Sequence, residues 1–227
     1  MGQQMTTITG HRLRTPRAAA IAGIVFSVLL LIIFGLLRLS VPADPYEHGA
    51  WLDRSSHTVA IALNLVPIAG IAFLWFIGVL RDRLGPLEDR FFSTVFFGSA
   101  LLFLAMLFAA AAVAGAIVQT FSVQPNDQIS VATFHFARAV AYNLMNVYAI
   151  KSACVFMISA STLAIHTGIV PRWIALLGYS LAFVLLVASY YLPWAFVVLP
   201  IWVFLVSVHI LIDEMRRPSH AHEKSPQ

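Results

Sequence analysis

The 227-residue chain is 60% hydrophobic and 11% charged, with a net charge of +4 and a mean hydropathy of +0.85. Soluble domains run at about 45–50% apolar and about 25% charged residues, so a single soluble core is excluded: too few charges remain to cover so much apolar surface. The pI of 9.6 does not indicate nucleic acid, because the basic residues stand in short clusters between apolar runs, as loop charges of a membrane protein do.

At the N-terminus, Met1-Gly2-Gln3-Gln4-Met5-Thr6 fits the N-myristoylation pattern. Nothing else points to a eukaryotic source, and the match is read as coincidence. Arg12, Arg14 and Arg17 precede an apolar run from Ala18 to Leu37, with Val41-Pro42-Ala43 as a passable small-residue cleavage site. A secretory signal core is only about 7–15 residues long; this run has the length of a full span and is read as a retained helix.

In all, six apolar runs cover residues 18–38, 58–80, 91–119, 131–168, 173–192 and 195–213. They are continuous rather than alternating, and in lipid only helices and closed barrels satisfy every backbone group. The expected fold is an all-α integral membrane bundle of about six transmembrane helices over residues 18–213. Residues 1–17 precede it and 214–227 form a tail after it, polar and expected to be disordered from Pro218 on. Cys154, the one cysteine, lies in an apolar run, so no intramolecular disulfide can form.

Basic residues set the expected orientation. Arg12, Arg14, Arg17, Arg81, Arg83, Arg90, Arg172, Arg216, Arg217 and Lys224 all fall on one side of the six-span scheme, against Arg38 and Arg54 in the loops of the other. The positive-inside rule then puts both termini in the cytoplasm. Aromatic residues agree, with Tyr46, Trp51, Tyr190, Tyr191 and Trp194 at the outer interface and Trp75, Phe91, Phe92 and Trp173 at the inner one. Val66-Pro67-Ile68 and Leu199-Pro200-Ile201 place a similar proline in the second and sixth runs without making an inverted repeat.

The third and fourth runs, at roughly 43 and 57 Å of helix, exceed a hydrocarbon core of about 30 Å. No Gly or Pro breaks residues 131–167, so the fourth is expected to stay one helix, both runs projecting beyond the outer surface around Gln124-Pro125-Asn126-Asp127-Gln128. The small residues Ala109 to Ala112, Ala114, Gly115 and Ala116 suit close approach of the third helix to the fourth.

The fourth run carries the candidate chemistry. His135, Arg138, Tyr142 and Asn146 share one helical face, Asn143 flanks it, and Lys151 points nearly the other way. Polar groups in a membrane segment usually face a bundle interior or a watery cavity, so these residues, with Asn64 of the second run, form a candidate ligand-binding face. The bland alternative is a helix end standing in water, with Lys151 reaching to the headgroups. Asp213 stands at the last position of the sixth run, and no other Asp or Glu lies inside any run, which disfavours carboxylate relays for protons or cations. A solute held near Arg138 and Lys151 would be an anion. Asp53 and Asp127 are the topologically nearest carboxylates for an ion pair with Arg138, which would gain most from one where water is scarce.

Asp44, Glu47, His48, Asp53, His57, Asp127 and His135 lack any fixed metal-ligand spacing and read as solvated loop residues. His166 and His209 read as histidines with one satisfied hydrogen bond. Neither a metal nor a cofactor is expected. No nucleophile motif or phosphate loop occurs, so an embedded lipid-modifying enzyme is the weakest of three functional classes. The others are an accessory or structural membrane component, working through lipids, a protein partner or further copies of itself, and a transporter or channel for a small solute, an anion being the favoured kind.

From Ser161 to Gly178 the chain reads Ser-Thr-Leu-Ala-Ile-His-Thr-Gly-Ile-Val-Pro-Arg-Trp-Ile-Ala-Leu-Leu-Gly. Gly168 is placed to end a helix, Pro171 to start the turn, Arg172 to mark the cytoplasmic side and Trp173 to anchor the interface. The stretch, under a tenth of the chain, resembles a helix–turn–helix joint of uncharacterised bacterial multi-pass membrane proteins, which implies a bacterial cytoplasmic-membrane location and no activity. The topology gives a first test: single cysteines at Asp127 and in the C-terminal tail should label from opposite faces of the membrane, and labelling from one face would overturn the six-span scheme.

Overall fold

The computed structural model describes residues 15–42, 51–84, 90–123, 131–189 and 194–216. Asp127, Tyr46, Tyr190, Tyr191 and the tail from 217 lie outside them. Within them the chain is all α: α1 Thr15–Ser40, α2 Leu52–Leu84, α3 Arg90–Val123, α4 Val131–Thr167, α5 Arg172–Ala188 and α6 Ala195–Arg216. Five of these are long and apolar enough to cross a bilayer. The remaining one, α5, has 17 residues and falls just short. At about 25 Å it is less than a hydrocarbon core. The chain is thus a multi-pass membrane bundle, with one helix shorter than its sequence run.

Helix α2 begins six residues before its apolar run and α3 continues four beyond its own, because polar side chains do not stop a helix whose next carbonyl is in reach. Pro67 and Pro200 both sit inside their helices. Helix α4 is unbroken over 37 residues, as the lack of Gly and Pro predicts. Gly168 ends it in the left-handed conformation (φ 66°), its N–H bonding the Ala164 carbonyl at 3.0 Å, a C-terminal position that glycine adopts without Cβ strain. Pro171 then stands, extended, immediately before α5.

The helices form two groups of three. Helix α1 packs along α2 and α6, and α4 packs along α5 and α3, while α2 and α3 join the groups. The small-residue stretch of α3 is shared between neighbours: α3 packs on the first half of α4, and Gly115 turns to Leu63 of α2. A second small core at the loop end unites Leu52 and Val59 of α2, Val118 of α3 and Phe134 of α4. Trp51 packs against it, its indole nitrogen buried. Trp194 is exposed at this end, and Phe91 and Trp173 at the opposite, terminal end.

Aromatic rings hold the groups together. Phe73 of α2 lies 4.5 Å from Phe26 of α1, 5.6 Å from Phe103 of α3 and 5.3 Å from Phe156 of α4. Phe156 in turn meets Phe96 at 5.2 Å and Trp202 of α6 at 6.4 Å. Phe73 and Phe156 are fully buried, and edge-on ring pairs add about 0.5–1.5 kcal/mol each beyond burial. Lipid offers no hydrophobic drive between helices, so such packing is what associates them. Phe156→Ala should therefore destabilise by about 3–5 kcal/mol, read as thermal unfolding in detergent. Trp75→Ala, on an exposed side chain, should change stability by less than about 0.5 kcal/mol.

Candidate functional site

Helix α4 is the most buried long helix: 61% of its best apolar stretch lies inside the bundle, against 28% for α3. Its Leu144–Ala149 segment is π-helical. A π turn takes in an extra residue, which rotates the C-terminal part of the helix relative to the N-terminal part, and such segments recur at functional places. The segment falls between Tyr142 and Lys151, so the polar face drawn on α-helical spacing is divided. His135 and Arg138 are half-buried, whereas Tyr142 and Asn143 are exposed.

Five of the seven candidate residues donate to a backbone carbonyl. Arg138 donates from Nη2 to the Pro42 carbonyl at 2.8 Å, tying the start of α4 to the segment after α1. Asn143 donates to the Ala139 carbonyl at 2.9 Å and Asn146 to the Tyr142 carbonyl at 3.1 Å, both one turn back on their own helix. Asn64, exposed on α2, likewise donates to the Ala60 carbonyl at 2.8 Å and does not join the face of α4. His135 stacks edge-on with Phe134 at 5.7 Å. Asp127 lies outside the described residues, as does the side chain of Asp53, so the expected ion pair with Arg138 falls there too.

Lys151 takes a position that its place on α4 alone does not show. Its ammonium donates to the Leu186 carbonyl in the last turn of α5, a turn without a basic residue of its own. A cation there complements the negative end of the helix dipole. The other half of the α4–α5 seam holds the Thr162 hydroxyl 2.6 Å from the Tyr179 hydroxyl, with Thr162 also on the Ile158 carbonyl at 2.9 Å. Gly178 permits the close approach: a Cβ there would strike the Ser161 hydroxyl and come within 2.8 Å of the Trp202 indole nitrogen, which donates to the Ile174 carbonyl at 3.3 Å. Glycine at 178 is legible as part of the joint; the Thr162–Tyr179 pair has no signal in the sequence beyond two polar residues in apolar runs.

Among the described residues, crevices between the two helix groups include one on each side of the aromatic contacts. The terminal-end crevice is walled by Leu80, Leu163, Val170, Val206 and Ile210 among others. The loop-end crevice is walled by Leu30, Phe34, Met145, Leu185 and Phe196 among others. Every residue lining either is apolar, and none of the seven candidate ligand-binding residues is among them. Comparison with known proteins gives no assignment: no family model matches the chain, and no curated protein or solved structure is significantly similar to it.

These contacts rank the polar substitutions. Arg138→Met removes a hydrogen bond made by a charged group and should cost about 1.5–3 kcal/mol of stability. Asn143→Ala, which loses only an exposed bond to its own helix, should stay within about 0.5 kcal/mol. Both are read as thermal unfolding in detergent, and equal effects would contradict the assignment.

Proposed function

We propose that this chain is an accessory or structural component of a membrane, acting through apolar contact with lipids and partner helices rather than by moving a polar solute through its centre. The observation that carries this reading is the wall of the two internal crevices, apolar throughout, while the polar side chains of α4 bind nearby backbone carbonyls. A polar solute crossing the bundle would leave water for a lining with no hydrogen-bonding partners, at several kcal/mol per lost group. The surplus of basic residues beside both termini supports a cytoplasmic placement of those ends, and the 161–178 joint supports a bacterial cytoplasmic membrane.

One observation favours transport as a second reading: the π segment of α4 lies between Asn143 and Lys151, where a change of helical register could open a polar path. Reconstituted liposomes separate the two. For the accessory reading, chloride and phosphate efflux from vesicles holding the protein should match that of empty vesicles, and crosslinking in native membranes should give one discrete larger species. Efflux above background that Lys151→Met abolishes would establish transport instead.

A further inference from the structure

The loop-end crevice stands beside a cation on α1. Helices α5 and α6 are consecutive in sequence but meet chiefly where Trp202 crosses Ile174 and Gly178. Toward the loop end the crevice lies between them, with Leu185 on one side and Phe196 on the other. Its back wall on α1 is the row Leu30, Phe34, and the next residue of that row, one turn on, is Arg38. Apolar wall and cation thus stand in series along one face, from the interior toward the helix end.

Arg38 is held there. Its guanidinium lies over the Trp194 ring at 5.6 Å, Trp194 lies 6.3 Å from Phe196, and Phe196 lies 4.6 Å from Phe34. The stack fixes an exposed guanidinium directly above the crevice wall, and a guanidinium is a fork that matches phosphate oxygens. On the far side Lys151, next in sequence to the lining residue Ile150, adds a second positive charge near the end of α5. The closed crevice has a central space of about 20 Å³, that of a single water. Met145, on the π segment, is the lining residue most able to yield, since its unbranched thioether chain adapts to many shapes.

We propose that this crevice takes the end of one acyl chain of an anionic glycerophospholipid, with Arg38 on the phosphate and Met145 swinging aside to admit the chain. This deepens the accessory reading, since it gives the apolar interior a ligand from the membrane itself. The test uses the full chain in detergent, mixed with equal amounts of dioleoyl phosphatidylglycerol and dioleoyl phosphatidylcholine and examined by native mass spectrometry. The wild type should carry one lipid per chain, with phosphatidylglycerol preferred about fivefold, the ratio expected of one basic residue at a membrane surface. Arg38→Gln, on an exposed side chain, should reduce that preference severalfold, toward parity. Ala149→Leu, which adds bulk to the crevice wall, should remove the bound lipid while cooperative thermal unfolding persists. If Ala149→Leu does not unfold cooperatively, the Arg38→Gln comparison decides alone. No one-to-one adduct, or an unchanged preference in Arg38→Gln, overturns the site. Liposome efflux at background in the same preparations would leave the accessory reading standing, whereas efflux above background with the adduct intact would overturn only that reading.

Discussion

A polar group inside a bilayer has no water to turn to, so each must find its partner within the protein. That constraint explains most of the polar chemistry in this bundle. Buried serines on three helices bond backward along their own backbone: Ser27 to the Gly23 carbonyl, Ser99 to Val95, Ser152 to Tyr148 and Ser159 to Val155, all at 2.7–2.9 Å. The asparagines of α4 do the same. Among the described residues, the side-chain hydrogen bonds that tie one element to another include these four: Arg138 with the Pro42 carbonyl, Lys151 with the Leu186 carbonyl, Thr162 with Tyr179, and Trp202 with the Ile174 carbonyl. Three of these four involve α4, which makes it the helix that others are hung upon.

Apolar packing does the remainder, and it does so unevenly. The Phe26–Phe73–Phe156–Trp202 chain ties α1, α2, α4 and α6 at one level. Above and below that level lie the two crevices, walled in part by further rings such as Phe96 and Phe103. Glycine serves the opposite end of the same problem. At Gly178 the backbone must come so near Ser161 and Trp202 that any side chain would push α5 off α4 and α6. Rings fill space where helices stand apart, and their absence lets helices touch.

Length, composition and breaks were readable in the sequence because they derive from solvent and backbone chemistry. Gly168 and Pro171 mark the end of one helix and the start of the next, and the unbroken α4 reflects the lack of either residue in 131–167. Facing was not readable. In water an apolar residue marks the core, but in lipid the outside is apolar as well, so Phe73 at 0% exposure and Phe183 at 65% look alike in the sequence. The π segment was hidden for a related reason: an inserted residue in an apolar helix leaves no polar signature, yet it rotates everything after it. A face drawn from His135 to Asn146 on 3.6-residue spacing also combines half-buried and exposed positions, the exposed Tyr142 standing before the π segment. Lys151 looked like a stray charge because its partner is a backbone carbonyl, which carries no sequence identity at all.

The mismatch between α4 and α5 links these features. An antiparallel pair of 37 and 17 residues cannot run in contact over its full length. The short helix matches the long one from the Gly168 turn up to Lys151, where the lysine covers the carbonyl end that α5 would otherwise present to lipid. Beyond that level α4 is supported from α3 and the small loop-end core, and the π segment begins almost at once on the loop side of Lys151. A π turn is rare in helices, and here it coincides with the end of the neighbouring α5. The loop-end crevice opens at that same level, with Met145, Ala149 and Ile150 in its wall. The level of the loop-end crevice thus matches the end of α5, with Arg38 one turn beyond its α1 wall and Lys151 next to its lining residue Ile150.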